Sequence, residues 1–567
     1  MAKLTFDRFH RYDELTELVE AWAAAHPGML ALESIGESYE GRQIWLVTVT
    51  NFDTGPHLEK PAFWIEANIH ATEVTGCAAA LHLIQRLLDG YGKEDRITRV
   101  LDTRAFYIVP RLNPDGAELA LADRPRFLRS SVRPYPRSEE QDGLYAEDLD
   151  GDGRVLQMRL EDPNGAWKLH PDEPRLLVRR EPDDGPDEGP YYRLLREGSI
   201  RNYDGVVIKI APPLEGLDLN RNFPAEWEPE SEQAGAGPYP GSEPEIRAEI
   251  QAIVERPNVT GYLSYHTFSG VHLRPYSSYP DERFPTEDLR AYQWIGEEAT
   301  KITGYPAISI FHEFKYDPKK TIKGGSDDWL YDHLGVFAWT TEFWAPQREA
   351  GIKDYKYIDW FFDHPVDDDL KLLKWSDRKL GGKGYIDWYA FDHPQLGKVE
   401  LGGWDTMFCW SNVPPEFLER EIAPHADLAI LHLLMSPRLE IRSVDIEKVG
   451  KQTHLVRLVL MNTGWLPTNV TQKAIERKAV LPLEAEIFLP DDARVVGGEK
   501  KLDLGQLTGR FDKRNTVFWS QGDPTTDFAK AEWVIEAPKG GTVRIEARHP
   551  RAGTVRTQIE IRGARGE

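Results

Sequence analysis

Two residues with ligand-type side chains, His70 and Glu73, stand three positions apart in the segment Ile69-His70-Ala71-Thr72-Glu73. An apolar, strand-like run ends just before them and an Ala- and Leu-rich, helix-like run follows, so both would project from the carboxyl edge of a strand. Imidazole and carboxylate are good zinc ligands, and a catalytic zinc site needs three protein ligands and an open position. The same spacing is typical of an exposed pair at a helix start, and this motif alone leaves both interpretations open.

A second group with ligand chemistry is the run of alternating carboxylates Asp148, Asp150 and Asp152, which precedes Gly153. Oxygen-rich spacing of this kind suits a hard cation and resembles the start of a calcium-binding loop. The twelfth position of such a loop is Arg159 rather than Glu, so a complete EF-hand loop is not predicted. A partial Ca²⁺ site and a solvated acidic turn both remain open.

The elements that must hold these residues alternate between helix and strand. Leu15, Leu18, Val19 and Trp22 recur at helical spacing and predict a first helix. Apolar runs then predict strands at 43–49, 62–69, 105–109, 261–265 and 336–343, with helices at 74–88, 246–254, 289–300 and 417–435. This order predicts an α/β fold with a mixed, mostly parallel sheet and helices on both faces. In such sheets the site lies at the carboxyl ends of the strands.

Two changes in texture divide the chain. Between about residues 134 and 214 the periodicity fails and Pro, Gly, Asp and Glu dominate, which predicts an inserted, acidic, loop-rich segment. After residue 435 short alternating strands follow, a pattern typical of a β-sandwich. We therefore expect an α/β domain over residues 1–435, which contains the insertion, and an all-β sandwich domain over residues 436–567.

The bulk composition limits the class of partner. The chain has 567 residues, of which 29% are charged, and a formal net charge of -24. This charge argues against nucleic acid or an anionic membrane surface as the main partner, because both favour clustered Lys and Arg. We see no apolar run of the roughly 18 residues needed to span a membrane and no secretory signal, and we expect a cytoplasmic location.

Further motifs follow His70 and Glu73 in order along the chain. They are Leu112-Asn113-Pro114-Asp115-Gly116, Leu217-Asp218-Leu219-Asn220-Arg221-Asn222-Phe223, Ser264-Tyr265-His266-Thr267-Phe268 and Thr341-Glu342-Phe343-Trp344. The ordered set closely resembles the M14 metallocarboxypeptidase family, of the carboxypeptidase A/B type, over about residues 5 to 435. The resemblance implies a zinc peptidase, with one Zn²⁺ per chain, that releases the last residue of a peptide with a free C-terminus.

The resemblance also assigns the metal ligands and the general base. It implies that His70, Glu73 and His266 bind zinc, and that Glu342 takes a proton from water and delivers it to the leaving amine. A carboxylate at the end of a hydrophobic strand would be partly desolvated, which raises its pKa toward the range of a general base. Glu400 is a reserve candidate for the base.

Three further residues are expected to contact the substrate. Arg221, with Asn220, matches the pair that holds the terminal carboxylate, a task for which the guanidinium has the right fork of donors. Asp327 falls near the family's specificity position, where an acid favours Lys or Arg as the terminal residue.

Supporting roles are also implied. Asp218 matches an aspartate that accepts a hydrogen bond from the first zinc-bound imidazole. Arg129 is the best counterpart of the arginine that stabilises the oxyanion, with Arg126 and Arg133 as alternatives.

The sequence departs from the best-known family members at two positions. Thr72 stands where they have an Arg, so one contact to an extended substrate is missing. Lys320 stands where they have a mobile Tyr, and Tyr316 is a candidate replacement. Two alternatives to a carboxypeptidase therefore remain open: an M14-like zinc amidase or peptidase acting on cell-wall or modified peptides, and a zinc-binding pseudoenzyme that serves as a binding module.

Overall fold

A mixed eight-stranded sheet forms the centre of the α/β unit. The computed structural model of the chain describes residues 4–511 and 524–562. Four neighbouring strands are parallel, and antiparallel pairs lie on either side of them. Across the sheet the order is Leu30–Glu37, Gln43–Val49, Ala105–Val109, Ala62–Ala67, Val259–Thr267, Phe337–Phe343, Val271–Arg274 and Ala307–Ser309. This confirms the predicted mixed, mostly parallel sheet.

Helices cover both faces of this sheet. Successive residues of a strand point to opposite faces of the sheet. Phe63 and Trp64 are such a pair, and each contacts a helix on its own face. The ring of Phe63 packs against His432, with centroids 4.6 Å apart, whereas Trp64 Nε1 donates to Glu249 Oε1 at 3.0 Å. These partners lie on the helices Leu418–Met435 and Pro244–Val254, so both faces of the central strand are buried.

The described residues form seven longer helices, and all but Asp95–Thr103 and Val366–Lys379 match segments that the sequence predicts. The seven helices are Tyr12–Ala25, Thr75–Gly90, Asp95–Thr103, Pro244–Val254, Thr286–Thr303, Val366–Lys379 and Leu418–Met435. Shorter helices are Pro114–Ala120, Ile310–Glu313, Ser326–Trp329, Pro346–Glu349, Tyr357–Phe362 and Gln472–Glu476. Among the helices in the described ranges, none has the length and apolar character needed to cross a membrane.

The segment 134–214 contains strands as well as the expected loops. Gln157–Glu161, Tyr191–Arg196, Trp167–Leu169 and Leu177–Arg179 pair with Tyr385–His393 and Gly397–Trp404 in a six-stranded antiparallel sheet. Gly143–Ala146 and Gly198–Arg201 form a separate two-stranded sheet. These strands are only three to six residues long, which is too short for a clear alternation of apolar and polar residues.

The C-terminal region forms two four-stranded antiparallel sheets, as the alternating pattern predicts. One contains Leu439–Lys448, Thr453–Asn462, Phe528–Glu536 and Arg494–Gly497, and the other contains Lys501–Asp503, Glu484–Phe488, Gly540–His549 and Gly553–Arg562. Val456 and Trp533 from the first sheet and Ile487 and Ile545 from the second share one buried core. The fold class, an α/β unit followed by an all-β sandwich, is therefore confirmed.

A buried polar joint connects the sandwich to the α/β unit. Arg551 Nη1 donates to the carbonyls of Gly335 and Asn469, both at 2.9 Å, and Nη2 donates to Leu334 O. Asp288 accepts from the backbone N–H groups of Gln472 and Lys473 at 2.7 and 3.0 Å. Arg551 of the sandwich thus binds the turn at Leu334 and Gly335, which leads into the strand Phe337–Phe343.

Candidate metal centre and substrate cleft

Three parallel strands bring the candidate ligands and the candidate base to one edge of the sheet. His70 follows the strand Ala62–Ala67, His266 lies near the end of Val259–Thr267, and Glu342 lies near the end of Phe337–Phe343. His266 and Glu342 are direct partners in the parallel register. Because the carboxyl ends of these strands coincide, residues that are 272 positions apart (342 − 70) in the sequence meet.

The helix Thr75–Gly90, which follows the first motif, packs very closely on the sheet. A Cβ atom on Gly76 would lie 2.7 Å from the carbonyl oxygen of Tyr265, so only glycine allows this approach. Asn68, at φ 61°, turns the chain out of the strand, and its Nδ2 donates to His70 O at 2.7 Å. This turn directs His70 and Glu73 toward His266.

The side chains of His70, Glu73 and His266 converge on one point. His70 Nδ1 lies 2.9 Å from Glu73 Oε1 and 3.0 Å from His266 Nδ1, and His266 Nδ1 lies 3.1 Å from Glu73 Oε2. All three side chains are buried, and their ligand atoms lie within 4.8 Å of one another. Two imidazoles and a carboxylate form a donor set that suits zinc. The residues therefore fit the predicted metal.

Asp218 and Arg129 support this group from the solvent side. His70 Nε2 lies 3.1 Å from Asp218 Oδ1, which leaves Nδ1 free to face the other ligand atoms. Arg129 donates from Nε to Asp218 Oδ2 and from Nη1 to Glu73 Oε1, both at 3.0 Å. Burial opposes ionisation of Asp218, but Arg129, Arg221 and His70 outweigh burial and hold its pKa well below the usual value.

Glu342 lies next to this group with an unusual protonation preference. Its Oε2 is buried and has no hydrogen-bond partner. Burial raises the pKa of Glu342 to about 8, since the opposing effect of His266 is smaller and the charge of Glu73 adds to the rise. An acid with this pKa can accept and return a proton near neutral pH.

Two connected cavities open beside Glu342. The first, which we call the inner pocket, has a volume of about 50 Å³ and is lined by Asn220, Arg221, Asp327 and Thr340 among others. The second, which we call the outer cleft, has a volume of about 220 Å³ and is lined by Phe268, Tyr357, Ile358 and Phe361 among others. Arg129, Tyr316 and Glu342 line both, so the cavities meet at the candidate base.

The inner pocket holds Arg221 and Asp327 at its polar surface. Arg221 Nη1 donates to Asn220 O at 2.6 Å, and Asn220 Oδ1 accepts from Ser326 N at 2.9 Å. Asp327 is buried, and its Oδ1 accepts from Asp328 N at 2.9 Å. The sequence motifs did not indicate Thr340, whose hydroxyl lies 3.4 Å from Asp327 Oδ2.

Three alternative residues lie elsewhere. Glu400, the reserve base, belongs to the six-stranded sheet and pairs with Arg159 at 2.8 Å. Arg126 pairs with Glu215, and Arg133 pairs with Glu243. Arg129 is the one of the three arginines that lines the two cavities, and the proposed replacement Tyr316 also lies there.

The acidic loop is assembled differently from the sequence expectation. Carboxylates of Asp148 and Asp150 lie within 4.8 Å of Glu197, whereas Asp152 pairs with Arg154 at 3.0 Å. Glu197 is buried, which raises its pKa to about 7, and its oxygens accept backbone N–H groups of Leu149 and Leu156. A distant residue thus supplies the carboxylate that position 159 lacks, and calcium binding stays a prediction.

A mixed α/β sheet with a buried pair of histidines and a glutamate at its carboxyl edge defines a metallohydrolase type of site. Residues 15–360 match the family Peptidase_M14, described as zinc carboxypeptidase, and the chain belongs to this family. Residues 438–560 match a domain of unknown function, DUF8731.

Several known proteins are similar to the chain. Carboxypeptidase B2 of Rattus norvegicus is 24% identical over 370 residues, which cover 62% of this chain and 67% of that protein. Carboxypeptidase B of Astacus astacus is 24% identical over 345 residues, which cover 59% and 86%. The crystal structure of thrombin activatable fibrinolysis inhibitor aligns over 76% of this chain and 75% of that chain, with 18% identity and a TM-score of 0.42.

Proposed function

We propose that this protein is a zinc-dependent carboxypeptidase that hydrolyses the C-terminal peptide bond of peptides. The observation that carries the proposal is the meeting of three parts at the two connected cavities: the His70, Glu73 and His266 group, the carboxyl of Glu342, and Arg221 with Asn220. Family membership supports peptide hydrolysis, and the arrangement of these residues supports release of a terminal residue.

His70, Glu73 and His266 would hold one zinc ion through Nδ1, a carboxylate oxygen and Nδ1. Zinc in such a site supplies Lewis acidity, which activates water and polarises a carbonyl. The carboxylate of Glu342 takes a proton from the attacking water and returns it to the nitrogen of the leaving amine. Arg129 offers its guanidinium to the negative charge that develops on the carbonyl oxygen.

The inner pocket receives the terminal residue. Arg221 pairs with the two oxygens of its carboxylate, and Asn220 adds a hydrogen bond. Asp327 favours Lys or Arg at this position, because a cationic side chain that enters the pocket would pair with a carboxylate held away from water. The candidate calcium group, Asp148 and Asp150 with Glu197, would stabilise the insertion and takes no part in hydrolysis.

The test compares release of the last residue from a peptide and from the same peptide with an amidated C-terminus. We expect amidation to lower kcat/KM by at least about 100-fold, because it leaves the Arg221 charge unpaired. An enzyme that acts equally on both forms would be an amidase or a peptidase for modified peptides. A chain that takes up zinc and releases nothing from a peptide panel would be a pseudoenzyme.

A second test separates the metal from the base. Glu342→Gln preserves the size of the side chain and removes its ability to take a proton, so kcat should fall by about 100- to 10,000-fold. Metal analysis should still find one zinc per chain in this variant. Turnover at the parent rate would show that another residue is the base.

A further inference from the structure

The outer cleft is lined by an aromatic cluster that has no role in the proposed mechanism and does not belong to the candidate metal ligands. Phe268 lies edge-on to Tyr357, with ring centroids 6.0 Å apart and planes at 83°. Phe361 lies 6.4 Å from Phe268 and 6.5 Å from Tyr357. Ile358 lies on the same short helix, Tyr357–Phe362, and completes an apolar wall.

Phe361 is exposed although it belongs to this cluster. Its exposed fraction is 52%, whereas Tyr357 and Ile358 on the same helix are buried at 9% and 7%. The buried pair anchors the helix to the body of the protein, in the small core that also contains Phe314 and Ile310. Phe361 therefore presents an aromatic ring to the cleft at little cost to the fold, and this ring gains if a ligand covers it.

The position of the cleft indicates which part of a substrate it meets. The inner pocket contains Asn220 and Arg221, which in the proposed function hold the terminal residue. The outer cleft shares Arg129 and Glu342 with that pocket and does not include Asn220 or Arg221. A peptide whose scissile bond lies at Glu342 must therefore place the residue before that bond in the outer cleft.

The charges of the cleft indicate which side chain fits. Among the described residues, its charged lining groups are Glu73, Arg129 and Glu342. Arg129 pairs with Glu73 and Asp218 and in the proposed function serves the carbonyl oxygen, so it is not available to an acidic side chain. Thr72, the residue that replaces an arginine of the best-known relatives, also lines the cleft. The wall is thus apolar and aromatic, with no unpaired cation for an acidic side chain.

We propose that Phe361, with Tyr357 and Phe268, selects peptides whose penultimate residue is aromatic or large and aliphatic. The inference rests on the proposed function and names the substrate class of the same site. Phe361 is a specificity residue that touches the substrate side chain, and the reacting groups Glu342 and Arg129 act on every peptide alike.

The experiment uses the zinc-loaded full chain and six peptides, acetyl-Gly-Xaa-Lys and acetyl-Gly-Xaa-Leu with Phe, Ala or Asp at Xaa. Two terminal residues are used so that the result does not depend on the preference of Asp327. We expect kcat/KM for Phe at Xaa to exceed that for Ala by at least about 10-fold, because apolar pocket contacts discriminate by this factor or more. Asp at Xaa should be the poorest of the three.

Phe361→Ala should reduce the Phe-to-Ala ratio to about 1–3, chiefly through a loss of kcat/KM for the Phe peptides. Phe362→Ala is the matched control, because Phe362 is the next residue, is 60% exposed and does not line the cleft. This control should keep the parent ratio, and thermal unfolding should establish that both variants are folded.

Release of the terminal residue without any preference at Xaa would overturn this inference alone. A ratio that Phe361→Ala leaves unchanged, or that both variants reduce equally, would overturn it as well. Absence of release from all six peptides would instead refute the proposed function, and the inference would fall with it.

Discussion

The hydrogen bond between His70 and Asp218 leads to a prediction about zinc affinity, which can be tested without measuring catalysis. Asp218 Oδ1 lies 3.1 Å from His70 Nε2 and 2.9 Å from Asn220 N, and Oδ2 lies 3.0 Å from Arg129 Nε. In Asp218→Asn one oxygen can still serve His70 and Asn220, but the amide then directs N–H groups at Arg129, which has no acceptor atom. If the amide turns over, its N–H groups face His70 Nε2 and move the imidazole proton to Nδ1, the atom needed for the metal.

Either arrangement removes the negative charge that increases the basicity of His70, so zinc should bind about 10- to 100-fold more weakly. This factor corresponds to about 1.4–2.7 kcal/mol. The assay removes the metal with a chelator and titrates zinc back against a competing fluorescent chelator, which gives Kd without any substrate. Asp327→Asn is the control, because Asp327 lines the same pocket and accepts hydrogen bonds from Asp328 N and Thr340 Oγ1 rather than from a candidate metal ligand. A Kd for Asp218→Asn within twofold of the parent, or an equal loss in the control, would refute the reasoning.

Two predictions concern the body of the fold. Burial first, and then the charge of Glu66, hold the pKa of Glu249 well above its usual value, so the folded chain keeps a proton that the unfolded chain releases. This group should therefore lower stability by about 1.4 kcal/mol per pH unit as the pH rises between its two pKa values. Glu249→Gln should remove this contribution and make the loss of stability between pH 5 and pH 8 smaller in thermal unfolding, and equal pH dependence of parent and variant would contradict the assignment. Arg551→Met should lower the free energy of unfolding by about 1–3 kcal/mol, because it removes the Arg551 hydrogen bonds to the carbonyls of Gly335 and Asn469, which then keep only their bonds from Thr471. Urea unfolding that matches the parent would exclude this role for the joint.

The parts of the molecule that the sequence predicts well are those with long apolar patterns. The strand at 62–67 reads as a continuous apolar run except for Glu66, because both of its faces are covered by helices. Motif order indicated the candidate ligands, since His70 follows a buried strand, His266 and Glu342 lie near the ends of two others, and these strand ends coincide. The strands of the insertion are harder to predict from the sequence. A strand such as Trp167–Leu169 is stabilised by pairing with other segments rather than by an alternation of apolar and polar residues of its own.

Some features of the site have no signal in the sequence at all. Glu66 and Glu249 are 183 positions apart (249 − 66), yet both are fully buried, and each has an oxygen without a hydrogen-bond partner. Glu197 approaches Asp148 and Asp150 only because the chain returns through the insertion. Single carboxylates of this kind cannot be told from surface residues by spacing, since burial is decided by tertiary contacts.

The position of Glu342 depends on the strand register more than on the polar groups around it. In the parallel register His266 faces Glu342, and their neighbours Tyr265 and Phe343 point to the other face, where their rings pack 5.1 Å apart. A shift of one residue would turn Glu342 into the helix layer and Phe343 into the cleft. Each strand is buried on both sides, so such a shift would place a carboxylate in an apolar environment and expose an aromatic ring. The hydrophobic pattern of the strands therefore sets the distance between the candidate base and the metal group, and we expect substitutions of the buried rings to disturb turnover even though they touch no substrate.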